Sequence, residues 1–491
     1  MPLTWPDLSG LRVSLVYPPY GTTRNEPGIR AVKENYGVFP SLSLLYVAGV
    51  LEACGVEVQF IDANAEGLSR AQTIERIRGF EPGYVGYTLT TYLFHQTLEW
   101  IREIRVATGA PSLVGGVHLG LFPTESFTHD CLDAGVTGEA EVSLPALLQR
   151  LVAGEEPADV PGVVYRRADG SVAVTAPAPP VQDVDDVPEP ARHLIDNSLY
   201  FSFISRYRNF APIMTSRGCP FRCIFCEQGS LPFRPRSPAA VVDEMQAAMR
   251  DHGVREFDFF DSAFTIDKPR VHAICEEIRR RGLDAVWAVR SRVDTVDAPM
   301  LRALKGAGCA RIYYGIESGN REILRTLRKS ADLDQMVETV AMTKENGIDT
   351  FGYFMVGSPG ETEATVRQTI RLALSLDLDY AQFSKVTPMP GTELYRMLVE
   401  ETGEDLWRDI VLDAGRDDYM PRPGCELSER EVQELTRLAY LRFYYRPRYA
   451  VQALGRMKSW HEFKRSVGTA LQMVFTPPEG DDTGPPESSV G

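Results

Sequence analysis

RGCPFRCIFCEQG, running from Arg217 to Gly229, places Cys219, Cys223 and Cys226 within eight residues of a chain that holds eight cysteines in 491 residues. Thiolate is the soft ligand that iron–sulfur clusters and zinc prefer. Gly218 and Pro220 argue for a loop wrapped over something rather than a regular element. A structural zinc takes four ligands, and no fourth Cys or His lies close by in sequence. The arithmetic leaves three thiolates and one open coordination position, which suits chemistry better than scaffolding. A zinc knuckle is the bland alternative.

The spacing, three residues and then two, with Phe225 just ahead of the last cysteine, resembles the signature of the radical S-adenosylmethionine (SAM) superfamily. That resemblance implies a [4Fe–4S] cluster held through three irons by Cys219, Cys223 and Cys226. The fourth iron is then chelated by the amino and carboxylate groups of SAM, and an electron from the cluster cleaves SAM to a 5′-deoxyadenosyl radical. It also implies an electron donor such as flavodoxin or ferredoxin.

At 491 residues the chain is long enough for about three domains, and 44% hydrophobic with 24% charged residues is an ordinary globular balance. The net charge of −15 disfavours a nucleic-acid or anionic-membrane partner. Five further cysteines scattered singly do not form a secreted disulfide framework. No signal-peptide pattern and no apolar run of membrane-spanning length is present. The expected compartment is the cytoplasm, with no stable membrane insertion.

Residues 1–150 read as alternating strand and helix. Strands are expected at Arg12–Tyr17, Glu57–Ile61, Tyr84–Leu89, Ser112–Val114 and Ala134–Thr137, with helices near Leu42–Cys54, Ala71–Arg78 and Phe94–Val106. This predicts a doubly wound, Rossmann-like parallel sheet whose ligand sits beyond the strands' carboxyl ends. The loops there are VYPPYG (Val16–Gly21), IDANAEGLS (Ile61–Ser69), GGVHLG (Gly115–Gly120) and TGEAE (Thr137–Glu141). None is a GxGxxG or P-loop motif, so a nucleotide site is not supported. Taken in order, upstream of the cysteine motif, the four loops resemble the cobalamin-binding domain of B12-binding radical SAM proteins. The resemblance implies cobalamin contacts from Pro18, Asp62, Gly115, Gly116, His118, Gly138 and Glu139. The DxHxxG motif that supplies a cobalt-ligating His in mutases is missing, and His118 reads as loop-ordering rather than cobalt-ligating.

Residues 151–208 form the expected connection: a hairpin at Val163–Arg167 and Val172–Thr175 around Asp169-Gly170, followed by the linker APAPPVQDVDDVPEP, Ala176–Pro190. From 209 to 412 the strand and helix alternation resumes. Strands are expected at Ile213–Thr215, Glu256–Phe260, Val286–Val289, Arg311–Ile316, Thr350–Val356 and Tyr380–Lys385, which fits a partial (β/α)6 TIM-type barrel with its chemistry at the strands' carboxyl ends. There lie DSAF (Asp261–Phe264), SRVD (Ser291–Asp294), GIESG (Gly315–Gly319), GSPGE (Gly357–Glu361) and TPMPGT (Thr387–Thr392). This series resembles the radical SAM core. By that resemblance Glu317 and Ser318 contact the ammonium or hydroxyls of SAM, Arg292 its carboxylate, and Gly357 and Gly360 bring backbone to its adenine. Asp261 stands where the family often has a pair of acids, with Ser262 in the second place.

Residues 413–475 read as a helical C-terminal cap, and 476–491 as a disordered tail. Between Thr436 and Arg465 eight Lys or Arg face one acid, Glu462, either as a solvated helix face or as a cap that meets an anionic substrate. The whole chain reads as a cobalamin-dependent radical SAM enzyme acting on a small molecule. The leading expectation is a C-methyltransferase that uses SAM twice, as methyl source and as radical source. A radical cyclase or ring-rearranging enzyme is the alternative, and a cobalamin sensor or carrier the third. Methylthiotransferases of tRNA are disfavoured because no second three-cysteine set or basic tail domain is seen.

Overall fold

The computed structural model describes residues 3–19, 37–202, 204–207, 209–416, 419–446 and 449. The first half is built on β1 (Arg12–Tyr17), β2 (Gly37–Val38), β3 (Glu57–Asp62), β4 (Tyr84–Thr88), β5 (Ser112–Gly115), β6 (Ala134–Val136), β7 (Val163–Arg166) and β8 (Val172–Val174). All but β2 form one sheet in the order β3-β1-β4-β5-β6-β7-β8. Its first five strands run parallel. Their apolar runs are buried on both faces by helices, as parallel strands require. Leu44, Leu45, Leu147 and Leu148 from helices Leu42–Ala53 and Ala140–Val152 cover one face. Ile77, Leu98 and Ile101 from helices Arg70–Phe80 and Phe94–Thr108 cover the other. The chain leaves β1 to one side for β3 and returns to the other for β4, which makes this the switch point where such sheets hold ligands.

Two departures from the expected organisation have simple causes. The hairpin β7–β8, expected with the connection, adds antiparallel to β6 and finishes the first sheet. Val163 and Val164 are both fully buried, so this hairpin has two apolar faces and needs a core on each. The proline-rich linker is docked through its second part, from Val181 on. Val181 and Val187 pack with Tyr46, Leu42 and Met214, because valines recurring among the prolines give an otherwise polar segment one apolar edge.

The second half holds β9 (Phe201–Ser202), β10 (Phe210–Ile213), β11 (Ser216–Arg217), β12 (Arg234–Pro235), β13 (Glu256–Phe259), β14 (Val286–Ser291), β15 (Cys309–Glu317), β16 (Asp349–Val356) and β17 (Tyr380–Lys385). Strands β10-β13-β14-β15-β16-β17 form a parallel six-stranded sheet, open between β17 and β10. The first strand starts three residues earlier than expected and includes Pro212, tolerable because β10 is an edge. The opposite edge is closed by helix Glu429–Tyr444. The Tyr444 hydroxyl meets both Ala381 N (3.1 Å) and Ala381 O (2.7 Å), and the Tyr440 hydroxyl accepts from Phe383 N. Arg446 then donates to Leu374 O and Leu378 O, at the end of helix Glu363–Ser375. The described part of the basic C-terminal stretch therefore serves an edge and a helix end. Residues 450–475 and the tail 476–491 lie outside the described residues. Among the described residues no helix is long and apolar enough to cross a membrane.

The halves share a core. Tyr395, Leu398, Trp407 and Val411, from helices Glu393–Thr402 and Leu406–Leu412 after the barrel, pack with Phe94, Leu98 and Phe127 of the first half. The Trp407 indole donates to Pro388 O at 2.8 Å. Large apolar burial of this kind makes the two halves one body rather than two tethered ones.

Candidate functional site

The chain leaves β10 under the control of Asp261. This fully buried carboxylate accepts Thr215 N (2.7 Å), Ser216 N (3.0 Å) and the Thr215 hydroxyl. It thereby takes the donors a continuing strand would have used, and the backbone turns into the ribbon β11–β12 that closes the cysteine loop. Gly218 sits at φ +73, and a Cβ there would lie 2.2 Å from Pro232 O, so only glycine passes. Within the loop Cys219 N bonds Leu231 O, Ile224 N bonds Leu327 O, and Leu394 N bonds Ile224 O. Ile224 and Phe225 pack with Ile323, Leu327, Val386 and Leu394, pinning the loop to the mouth of the barrel. Cys219 is buried, and Cys223 and Cys226 are half-buried. Burial pushes all three thiols up, and each feels another of the three. Arg292 and Lys329 pull Cys219 and Cys223 back down. Among the described residues no three Cys, His, Asp or Glu side chains converge on a point where a single ion would sit.

Beside the loop, Glu317 ends β15 at φ +65 and pairs with Lys329 at 2.8 Å, both buried. A Cβ on Gly315 would lie 2.4 Å from Glu317 Oε1 and 2.6 Å from Lys329 Nζ, so the first glycine of GIESG exists to admit this pair. Lys329 carried no motif and was not anticipated. Only the site-facing acid opposite it could have pointed to it. Ser318 is buried with its hydroxyl 3.2 Å from Thr369 Oγ1 and accepting from Asn320 N, so it is engaged in the protein. Arg292 gives Nε and Nη2 to Asp294 (2.8 and 2.6 Å), stacks 3.8 Å from the Phe221 ring centroid, and directs Nη1 toward Cys223 Sγ at 3.9 Å.

The GSPGE loop is held by its own acid and covered by a later segment. Gly357 lies at φ +95, and the space its missing Cβ leaves is filled by Arg422 Cδ, 2.4 Å from that position. Arg422 is fixed by Glu429 and by Val386 O. At Gly360 the nearest atom to a Cβ is Ile323 Cδ1 at 3.7 Å, so that face is the more open. Fully buried Glu361 accepts Gly357 N (2.6 Å) and Ser358 N (2.9 Å) on Oε2, while Oε1 has no partner. Burial, only partly offset by those donors, pushes its carboxyl from 4.5 up to about 7. The folded chain then keeps a proton that the unfolded chain loses near pH 4.5. The stabilisation is complete below that pH and is lost as pH rises through about 7. Glu361→Gln is expected to remove this slope, about 3 kcal/mol in all, from melting curves measured across the window. An equal slope in the variant would contradict the assignment.

At the carboxyl ends of the first sheet, Pro18 is buried after β1, and Asp62 is buried with its carboxylate bonded to Ala65 N (2.9 Å) and the Tyr200 hydroxyl (2.8 Å). A Cβ on Gly116 would meet Leu89 O at 2.6 Å, so this glycine packs loop against loop. Gly138 faces open space by the same measure, and a Cβ on Gly115 would make only ordinary contact with Val136 O at 3.9 Å. His118 is fully buried, stacked 4.2 Å from Phe94, with Nδ1 3.1 Å from Thr91 Oγ1 and Nε2 unpartnered. Burial, and then His95, push it down to about 3, so the ring is neutral near pH 7. His95 itself contacts Ile410 O at 2.6 Å. Glu139 is committed elsewhere: both its oxygens face Arg234, one also faces Arg217, and it accepts Val181 N.

Residues 213–373 match the radical SAM superfamily and residues 31–148 the B12 binding domain. An uncharacterized methyltransferase of Pyrococcus horikoshii is 31% identical over 481 residues, covering 95% of this chain and 99% of the relative. The chain belongs to the B12-binding radical SAM family. The cofactors of this family are a [4Fe–4S] cluster, SAM and cobalamin, and this radical SAM protein is an enzyme. The anaerobic magnesium-protoporphyrin IX monomethyl ester cyclase of Rubrivivax gelatinosus is 30% identical over 374 residues, covering 74% of this chain and 67% of the relative. A solved structure of the radical SAM methyltransferase TsrM from Kitasatospora setae, with cobalamin and a [4Fe–4S] cluster bound, shares the fold. Its TM-score is 0.70 over 95% of this chain and 99% of that one, at 20% identity.

Proposed function

We propose that this radical SAM enzyme transfers a methyl group to an unactivated carbon of a small molecule. The observation that carries the reading is the meeting of Glu139 and Glu141, just past β6, with Arg217 at the base of the cysteine loop. It turns the ligand-bearing end of the first sheet toward the mouth of the barrel, as two cofactors working on one substrate require. Similarity to a protein named a methyltransferase over nearly the full length of both chains supports the choice of reaction.

Cys219, Cys223 and Cys226 would hold the cluster. Three thiols on one short loop, closed by the β11–β12 ribbon and pinned to the barrel mouth by Ile224 and Phe225, are the soft donor set such a cluster takes. Glu317 and Lys329 offer a carboxylate and an ammonium next to them, matched in charge to the amino and carboxylate groups of SAM. Arg292 Nη1 lies on the same side, and Gly360, whose N–H is taken by Gly424 O, leaves the space of its missing side chain uncrowded on the fifth-strand loop. Pro18, Asp62, Gly115 and Gly138 would line the cobalamin side, Gly138 leaving room for close approach. When bound, the cluster supplies the electron that cleaves SAM, and cobalamin carries the methyl group. The chain's part is to orient these groups, with Phe221 stacked on Arg292 and Ile224 and Phe225 fixing the cysteine loop to the barrel. A flavodoxin or ferredoxin is the proposed electron donor.

The similarity to a cyclase favours one competing reading, and stoichiometry separates the two. Anaerobic turnover with methyl-deuterated SAM is expected to put label in the product, with S-adenosylhomocysteine and 5′-deoxyadenosine rising in near-equal amounts. Deoxyadenosine alone, with an unlabelled product, would establish cyclisation or rearrangement. Neither by-product would leave a carrier.

A further inference from the structure

Four charged side chains tie the base of the cysteine loop to the first half. Arg217, two residues before Cys219, donates to Glu141 and lies 3.2 Å from Glu139 Oε1. Arg234, on the facing strand of the same ribbon, forks onto Glu139, with Nη1 3.0 Å from Oε2 and Nη2 on Oε1. The linker is threaded into the network, since Arg234 donates to Val181 O while Val181 N returns a bond to Glu139 Oε2 at 2.7 Å. Trp5 Nε1 donates to Glu141 O at 2.8 Å from the chain's beginning. The side chains of Arg217, Glu141 and Arg234 are 11%, 8% and 9% exposed, and that of Glu139 24%.

An exposed ion pair at a junction contributes little. This one is largely withdrawn from water and forked, so it is directional as well as attractive. The ribbon that carries the arginines cannot yield independently of the cysteines, because Gly218 is jammed against Pro232 and Cys219 N is bonded to Leu231 O. The glutamates begin helix Ala140–Val152 straight after β6. A shift of the loop after β6 is therefore transmitted to the cysteine loop through rigid parts.

We infer that Arg217 and Arg234, gripped by Glu139 and Glu141, are positioning residues that set the register of the cobalamin-side loop against the cysteine loop, and with it the separation of the two cofactors. The inference rests on the site assignment proposed above. It assigns Glu139 to holding the halves together rather than to touching cobalamin. Shared apolar core holds the halves near one another, but apolar packing is non-directional. The forks add the rotation and the distance.

The test uses the full chain reconstituted anaerobically with iron, sulfide and cobalamin. Its readout is the relaxation of the cobalt(II) electron paramagnetic resonance signal by the reduced cluster, which depends steeply on their separation. Arg217→Gln and Glu141→Gln are each expected to retain the iron and cobalamin content of the parent while relaxation falls severalfold. Arg234→Lys, which keeps the charge but not the fork, should do the same. Arg217→Glu should be the most perturbed and should be partly restored by adding Glu141→Arg. Parent-like relaxation in all three single variants would overturn the inference and reduce the network to ordinary stabilisation. So would loss of iron in Arg217→Gln alongside a wholly parent-like Glu141→Gln, which would assign Arg217 to folding the loop. A parent chain that takes up no cluster or no cobalamin would sink the site assignment, and this inference with it. That outcome is told apart because it concerns the parent alone.

Discussion

Replacing Cys219, Cys223 or Cys226 with Ala is expected to lower 5′-deoxyadenosine formation by about a thousandfold or more. It should do so while leaving the barrel folded. The two effects separate because the loop is held by other means: Asp261 on Thr215 and Ser216, the β11–β12 ribbon, and Ile224 and Phe225 packed on Leu327 and Leu394. None of those contacts uses sulfur. The thiols are all pushed up by burial, so as free groups they are poor nucleophiles, and only ligation to a cation makes them thiolates. Each of the three would hold the cluster that supplies the electron for SAM cleavage, so losing one would remove a ligand that no other described residue replaces. Deoxyadenosine yields in anaerobic assays with a chemical reductant, beside a circular dichroism melt, check both halves of the expectation. A variant that cleaves SAM at the parent's rate would remove that cysteine from the site.

The second large effect is on stability. Glu244→Ala is expected to cost the second half about 3–5 kcal/mol. Glu244 is buried to 1% exposure between Arg192 at 2.8 Å and Arg236, themselves 3% and 6% exposed. Burial opposes its charge, but the two guanidiniums outweigh burial and hold the carboxyl below its ordinary range. Removing it strands two cations out of water with only neutral acceptors for company, Pro212 O, Met214 O and the Tyr46 hydroxyl among them. Arg236 directly follows the ribbon's second strand, and its N–H bonds Thr215 O at 2.9 Å, so the loss reaches the cysteine loop. Replacing all three residues with apolar ones of similar volume should cost far less than the single change. Denaturant melts of both variants measure this, and a single variant as stable as the parent would contradict it.

The cysteine motif was legible because ligation to one compact cluster draws its ligands from one short loop. Strands β1 and β17 were read to the residue, since an unbroken apolar or alternating run bounded by turn residues has few other fates. The first barrel strand ends two residues before the expected Thr215 because Asp261, 46 positions on from Thr215, decides where β10 stops, and nothing local to residues 210–215 reports it. Tertiary pairing hid the rest. Lys329 meets Glu317 only once the β15 end has folded back over Gly315. Glu139 looked like a ligand from a glycine-acid loop, yet its partners Arg217 and Arg234 lie 78 and 95 positions away. Gly357 read as a cofactor turn, while the segment that fills its space, around Arg422, carried no recognisable pattern. Reading residues by type alone cannot tell an acid that waits for a ligand from one that already has an arginine.

The measurement that bears most directly on the two-cofactor account is metal and cofactor stoichiometry of the full chain after anaerobic reconstitution, with and without SAM. The account predicts about four irons and four sulfides per chain, one cobalamin bound at the same time, and a cluster spectrum that changes when SAM is added because one iron lacks a protein ligand. Stoichiometric zinc without the brown cluster absorbance, or a filled cluster in a chain that takes up no cobalamin, would contradict it.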